Sequence, residues 1–399
     1  MQNTIDQTQR TLLRLLGACL FGAEPPQLSA EALPALWRES AQQAVTVLAL
    51  QHAALPGADG ARIRSAILRR LSANAEIFSQ HTLVHELMGQ ANVPYVILKG
   101  AASAYYYPDP LFRTMGDVDF LVAPEDVDRA SEYLKSQGFA PWREKHVCHI
   151  VFTRDAIHLE LHFAPAGVPY GKAGELVRGY LADILATAST VETDVCTFRN
   201  PDRFHHGLVM LLHMQHHLLS EGIGLRHLCD WAVFVNAFGD GAFSALFEPR
   251  LRAAGLWRFA QTMSLAAHLG LSLPYQPFMG EDTALAEAIL ADILAGGNFG
   301  NKDAERFTQG IFISDRGKDG VKRSRLAQFV ATANSVAGTH WKPALEHNLL
   351  LPVGWALYGA KRIARTLRGE REPLHLFSAY QTCQDRKELY QQLRLFETE

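Results

Sequence analysis

Three short apolar segments decide the fold of this chain: VPYVILKG at residues 93–100, VDFLV at 118–122 and AIHLELHF at 156–163. The first two are runs of apolar, largely β-branched residues, which are typical of buried strands. In the third, polar and apolar residues alternate, so His158, Glu160 and His162 are predicted to share one face of a strand. The segment at 147–153 precedes it as the partner of a hairpin, with a turn predicted at Arg154-Asp155.

Helical patterns surround this segment. Apolar residues recur every three or four positions before about residue 90 and again between about residues 203 and 297. We therefore predict an α+β fold in which a small mixed sheet is flanked by N-terminal and C-terminal helical regions. The predicted divisions are a helical region, an α/β core, a helical region closing the cleft and a helical tail, at residues 1–90, 91–200, 201–300 and 301–399.

The bulk composition is that of an ordinary globular protein. A net charge of −3 and an isoelectric point near 6.6 give no electrostatic reason to expect a membrane partner, and they disfavour a nucleic acid. No apolar run approaches the ~20 residues that a spanning helix needs, and the polar N-terminus does not resemble a secretory signal. The five cysteines lack C-x-x-C spacing. We expect a cytoplasmic protein with reduced thiols.

The acidic residues of the second and third segments suggest a metal site. Asp117 and Asp119 are one residue apart at the start of a strand, which directs both carboxylates to one face. Glu160, on a neighbouring strand, adds a third carboxylate. Such oxygen ligands suit Mg²⁺, and two ions held this way can support phosphoryl transfer. A bare Asp-x-Asp also fits a solvated strand end, but the apolar strands around all three residues favour the metal site.

The order and spacing of several segments resemble the nucleotidyltransferase superfamily, and more narrowly the bacterial group called nucleotidyltransferase family proteins. The matching pieces are VILKGAASAYYY, LFRTMGDVDFLV, LKSQGF, HLELHF and GIGLRHLCDWAVF. The resemblance implies a sheet carrying metal-binding Asp117 and Asp119, with Glu160 as the third carboxylate. Many members carry Gly-Ser in the loop before the acidic pair, where it holds nucleotide phosphates. Lys99-Gly100 takes that place here.

Residues near the acidic pair are candidate nucleotide ligands. Gly100 can let the backbone approach a phosphate, and Lys99 can act on it as a point charge. Arg113, four residues before Asp117, could bind phosphate bidentately or form a surface ion pair. The three tyrosines at 105–107 could stack on a base, although we expect at least two of them to pack in the protein.

A histidine-rich helix follows the core. His213 and His217 are four residues apart and share a helical face. A zinc site there is disfavoured because no H-E-x-x-H motif or well-spaced cysteine accompanies them. The alternative, which the resemblance supports, is that these histidines and the nearby His216 and His227 line a cleft where the helical region meets the core. We place His162, Arg226 and Asp230 in that cleft.

The leading hypothesis is the transfer of a nucleoside monophosphate from a nucleoside triphosphate such as ATP to an unidentified acceptor, with one or two Mg²⁺ ions. Transfer of the γ-phosphoryl group at the same carboxylates is a second possibility. A third is a nucleotide-binding or scaffold protein without turnover. The missing Gly-Ser supports the third possibility, whereas the cost of burying clustered carboxylates without a cation opposes it.

The segment WALYGAKRIARTLRGERE at 355–372 alternates apolar and basic positions at helical spacing. Such a helix either lies on an anionic membrane surface or packs with a solvated basic face.

Overall fold

The computed structural model describes residues 4–142, 148–239, 241–303, 306, 351–357, 360 and 376–397, with the backbone alone at 376–382. Within these residues the fold is the predicted α+β arrangement, a mixed sheet flanked by helices. The strands are β1 (Tyr95–Ile97), β2 (Val118–Val122), β3 (Ala140–Pro141), β4 (His149–Arg154), β5 (Ile157–His162), β6 (Ser189–Glu192) and β7 (Thr197–Asn200).

Five of these strands form the main sheet in the order β1-β2-β5-β4-β3. Strands β2 and β5 are parallel, and the other neighbours are antiparallel. Strands β6 and β7 form a separate antiparallel pair. The predicted strands at VDFLV and HLELH are confirmed. The hairpin turn lies one residue later than predicted, because Arg154 pairs with Ile157 and Asp155 takes the left-handed conformation at φ 52°.

The helices before the sheet are α1 (Gln7–Phe21), α2 (Leu33–Gln42), α3 (Thr46–Leu50) and α4 (Gly57–Gln90). Asp6 and Gln9 start α1 as a capping box, and Gly22 ends it in the left-handed conformation. Within the α/β core lie α5 (Ala101–Ala104), α6 (Val127–Ser136), α7 (Gly171–Leu181) and α8 (Ile184–Thr187). Gly138 follows α6 at φ 85°, which confirms the predicted helix end.

Among the described residues, the helices after the core include α9 (Arg203–Leu219), α10 (Leu225–Asn236), α11 (Ala242–Ala253), α12 (Trp257–Leu271), α13 (Thr283–Gly296) and α14 (Leu376–Gln391). Tyr390 of α14 donates a hydrogen bond of 2.6 Å to the Asp292 carboxylate of α13, and Arg306 forms an ion pair with the same aspartate. These buried polar contacts attach the end of the chain to the helical region.

Two apolar clusters hold the described residues together. One joins helices that precede the sheet to helices that follow it, with Leu16 and Phe259 among its fully buried members. The other packs around the sheet and includes Phe120 and Leu161. The division into four regions stays a prediction.

No helix among the described residues is long and apolar enough to cross a membrane. Most of the basic segment at 355–372 lies outside the described residues, so its two interpretations stay predictions.

Candidate active site

The parallel pairing of β2 with β5 brings the predicted carboxylates together. Asp119 lies directly opposite Glu160 in the register of the two strands. Because residues opposite each other on neighbouring strands point to the same face, both carboxylates project from one side of the sheet. Asp117, which immediately precedes β2, lines the same cavity of about 400 Å³. The structure therefore assembles the three acidic residues that the sequence analysis singled out.

Two cationic groups contact Asp119. Its carboxylate is 2% exposed, and its Oδ1 atom lies 2.8 Å from Lys99 Nζ and 3.0 Å from His162 Nε2. Burial opposes ionisation of Asp119, but Lys99 and His162 outweigh it and hold the pKa of Asp119 well below its ordinary value. Hydrogen bonds with Asp119, Cys148 and Glu160 raise the pKa of His162 to about 10 against the effect of burial.

The pKa of Glu160 is shifted in the opposite direction. Burial and the neighbouring carboxylates of Asp119 and Asp117 raise the pKa of Glu160 to about 7, although a contact of 3.3 Å with His162 favours its ionised form. Lys99 and His162 thus offset part of the repulsion that we expected among these carboxylates, and the raised pKa of Glu160 reflects the part that remains.

The donor set nevertheless fits a divalent cation. Ligand atoms of Asp119, Glu160 and His162 lie within 4.8 Å of one another, close enough to converge on one ion. The carboxylate oxygens of these residues and of Asp117 are ligands that Mg²⁺ prefers. His162 was expected only in the cleft. Its position two residues after Glu160 on the same strand face was the sequence signal for a closer role.

A second group of possible ligands adjoins the first. Cys148, His149 and His162 also bring one ligand atom each to within 4.8 Å of the others. His149 lies opposite His162 in the hairpin register. Thiol and imidazole ligands suit zinc and other transition metals better than magnesium. The sequence analysis missed Cys148 and His149, because the cysteine has no paired cysteine and their convergence depends on the hairpin.

The Lys99-Gly100 loop is held by a histidine from α4. The amide of Ala101 donates to His81 Nε2 at 3.2 Å, and His81 Nδ1 donates to the Ile77 carbonyl at 2.8 Å. Gly100 has φ 60°, and a Cβ there would lie 2.5 Å from His81 Nε2. Packing against His81 thus explains the glycine. Phosphate contacts by Gly100 and Lys99 stay predictions, and Lys99 pairs with Asp119 instead.

Arg113 forms a buried ion pair rather than the surface pair considered above. Its Nε and Nη2 atoms each donate to the Asp230 carboxylate of α10 at 2.8 Å. Tyr107 donates to the same carboxylate at 2.7 Å. Two donors of the Arg113 guanidinium are therefore already bound to Asp230, although both residues line the cavity. A phosphate contact by Arg113 stays a prediction.

The three consecutive tyrosines have different environments. Tyr107 is buried, and Tyr106 packs edge-on against His206 and Phe234. Tyr105 is 47% exposed. Packing of at least two of the three is thus confirmed.

The wall of the cavity opposite the sheet comes from α9, α10 and the turn after α13. It contains residues predicted for the cleft and two that sequence reasoning missed: His213, His217, Arg226, His227, Asn298 and Phe299. The His213 and His217 rings are 4.3 Å apart, but within the described part of the chain neither belongs to a group of converging metal ligands. This agrees with their assignment to the cleft.

A larger cavity of about 530 Å³ lies among α7, α9 and α11. His205 there contacts Asp183 at 3.1 Å and Asp202 at 2.9 Å. None of the predicted site residues lines this cavity, whereas the acidic cluster lines the other one.

Comparison with known proteins supports the resemblance noted in the sequence. A family model described as an uncharacterised nucleotidyltransferase matches residues 12–271, which include the whole sheet and the acidic cluster. No curated protein matches the chain.

Proposed function

We infer the reaction from the family: the chain belongs to the uncharacterised nucleotidyltransferases, and we propose that it transfers a nucleoside monophosphate from a nucleoside triphosphate to an acceptor hydroxyl or similar group. The acceptor oxygen attacks the α-phosphorus, the bond from that phosphorus to the bridging oxygen breaks, and pyrophosphate leaves. The proposal rests on the direct pairing of Asp119 with Glu160 across the parallel strands β2 and β5. Both residues and the nearby Asp117 line one cavity.

Asp117, Asp119 and Glu160 would hold one or two magnesium ions. When bound, the metal would neutralise charge on the triphosphate and help to align the reacting oxygens. Glu160 completes the ligand set or accepts the proton of the attacking hydroxyl. Lys99 donates to Asp119 at 2.8 Å. With a divalent cation bound to that carboxylate, the Lys99 ammonium would be free to contact the phosphates.

The first experiment is calorimetric titration of the protein with each of the four nucleoside triphosphates, with and without magnesium. The Asp117→Asn/Asp119→Asn variant tests the site, and Asp128→Asn, at an exposed position on α6, is the matched control. Magnesium-dependent binding that is lost in the double variant and kept in the control supports the proposal. If the folded wild-type protein binds no nucleoside triphosphate, the proposal is wrong.

Product analysis then tests the reaction. Protein, magnesium and a nucleoside triphosphate labelled at the α-phosphate are incubated with a fractionated cell extract as the source of acceptor. Pyrophosphate release with label transferred to an extract component supports nucleotidyl transfer. Release of a nucleoside diphosphate indicates γ-phosphoryl transfer. Tight binding with neither product in any fraction indicates a nucleotide-binding or scaffold role.

A further inference from the structure

Four buried polar atoms on the helical wall of the cavity lack a hydrogen-bond partner among the described residues. Within the described residues, both ring nitrogens of His227, Nε of Arg226 and Oδ1 of Asn298 are buried without a hydrogen-bond partner. All three residues line the cavity that holds the acidic cluster. Because buried polar groups nearly always have partners, a set of orphans on one wall calls for an explanation. A ligand that fills the cavity would supply the missing partners.

Phe299 adds an aromatic surface to the same wall. It is 39% exposed and lines the cavity, with the rings of His217 and His227 packed edge-on at 4.9 and 5.2 Å. The Arg226 guanidinium lies 5.5 Å from its ring centroid. Phe299 has φ 53° and ψ 40°, a left-handed conformation that a bulky residue rarely adopts. Such strain persists where the surrounding structure fixes the residue, and it is common at ligand sites.

Close backbone packing fixes this wall. A Cβ on Gly224, just before α10, would lie 2.7 Å from the Asn298 Cα atom. Gly300 has φ 67°, and a Cβ there would lie 2.4 Å from the Glu221 carbonyl oxygen. The turn at Asn298–Gly300 is therefore seated directly against the segment that leads into α10. The orphaned atoms are held in place before any ligand arrives.

We propose that the wall formed by Arg226, His227, Asn298 and Phe299 binds the nucleobase of the nucleoside triphosphate, an inference that rests on the proposed function. Phosphate alone does not account for the exposed ring of Phe299, because it has no flat face to stack on it. A nucleobase offers both donors and acceptors at its edge and a flat face for Phe299. Neutral His227 matches this edge, since its ring carries one donor and one acceptor.

The position of the wall agrees with this assignment. Arg226 lines the same cavity as Asp117 and Asp119. A nucleotide whose phosphates lie at Asp117 and Asp119 would thus extend toward α10. Burial and the neighbouring Arg226 lower the pKa of His227 well below its ordinary value, which keeps the imidazole neutral.

The test compares two probes in the presence of magnesium: the nucleoside triphosphate that binds most tightly and inorganic tripolyphosphate, which lacks a base. His227→Phe removes both ring nitrogens and keeps a ring, whereas Phe299→Leu removes the aromatic face. His158→Phe and Tyr275→Leu make the same changes at exposed positions outside the cavity. Kd is measured for each protein by calorimetry.

We expect each wall variant to weaken binding of the nucleoside triphosphate by about ten-fold or more, the effect of losing one base contact. Tripolyphosphate binding should stay within about two-fold, which also shows that the variant is folded. Equal losses for both probes, or no loss for either, would overturn the inference. So would equal wild-type affinities for the two probes, which would leave the proposed function standing. If the wild-type protein binds neither probe, both this inference and the proposed function are wrong.

Discussion

The buried ion pair between Arg113 and Asp230 gives the sharpest prediction about stability. Arg113 is 6% exposed and Asp230 is 8% exposed, and Tyr107 donates to the same carboxylate. Asp230→Ala leaves a guanidinium charge and a hydroxyl buried without their acceptor. Breaking one side of a buried pair costs about 3–5 kcal/mol. We therefore expect Asp230→Ala to lower the free energy of unfolding by about 4 kcal/mol, close to a thousand-fold change in the folding equilibrium.

Urea unfolding followed by tryptophan fluorescence measures this loss. The control is Glu248→Ala, which removes an exposed ion pair of 2.8 Å with Arg252 and should cost about 0.5 kcal/mol or less. The double variant Arg113→Met/Asp230→Leu removes both charges and should recover most of the loss. A loss below about 1 kcal/mol for Asp230→Ala, together with lost nucleotide binding, would refute the structural role and favour Arg113 as a phosphate ligand.

Three further predictions concern the loop and strand beside the cluster. Lys99→Met removes the ammonium that faces Asp119, so the metal-free protein should lose about 2 kcal/mol of stability and recover part of it in magnesium. Thermal unfolding with and without the ion measures this loss, and an unchanged melting temperature would contradict the prediction. Gly100→Ala places a Cβ 2.5 Å from His81 at positive φ and should cost about 2 kcal/mol or more in urea unfolding, whereas Gly89→Ala, on an open helix surface, should be neutral or slightly stabilising. Burial lowers the pKa of His81 to about 4 from an ordinary 6.5, so as the pH falls the unfolded chain takes up the proton first. The free energy of unfolding should therefore fall by up to roughly 3 kcal/mol as the pH drops from about 6.5 to 4. The His81→Gln variant should show a weaker pH dependence in the same urea assay.

Local sequence patterns determined the strands and the directions of their side chains. The alternation in HLELH places Glu160 and His162 on one face, and the spacing of Asp117 and Asp119 does the same at the start of β2. These properties follow from the two-residue repeat of extended backbone, which can be recognised in the sequence of one strand without knowing which strands lie beside it. The order of segments, through the family resemblance, then predicted that the strands adjoin.

The partners of these residues were decided by tertiary packing. Nothing near Arg113 in the sequence indicates that its Nε and Nη2 atoms donate to Asp230, more than a hundred positions later. His81 reaches the loop at Gly100 only because α4 packs beside the sheet. The neutralisation of Asp119 likewise depends on where Lys99, after β1, and His162 of β5 meet.

The helical wall shows the same limit most clearly. Asn298 and Phe299 lie on a turn without periodicity, far from the acidic residues in sequence, and they gave no signal in the sequence analysis. The sequence by itself determined which side chains leave a strand or helix on the same side, because backbone geometry repeats along the chain. Only the tertiary structure decided which of them meet, because contacts between distant segments depend on the packing of whole helices against the sheet.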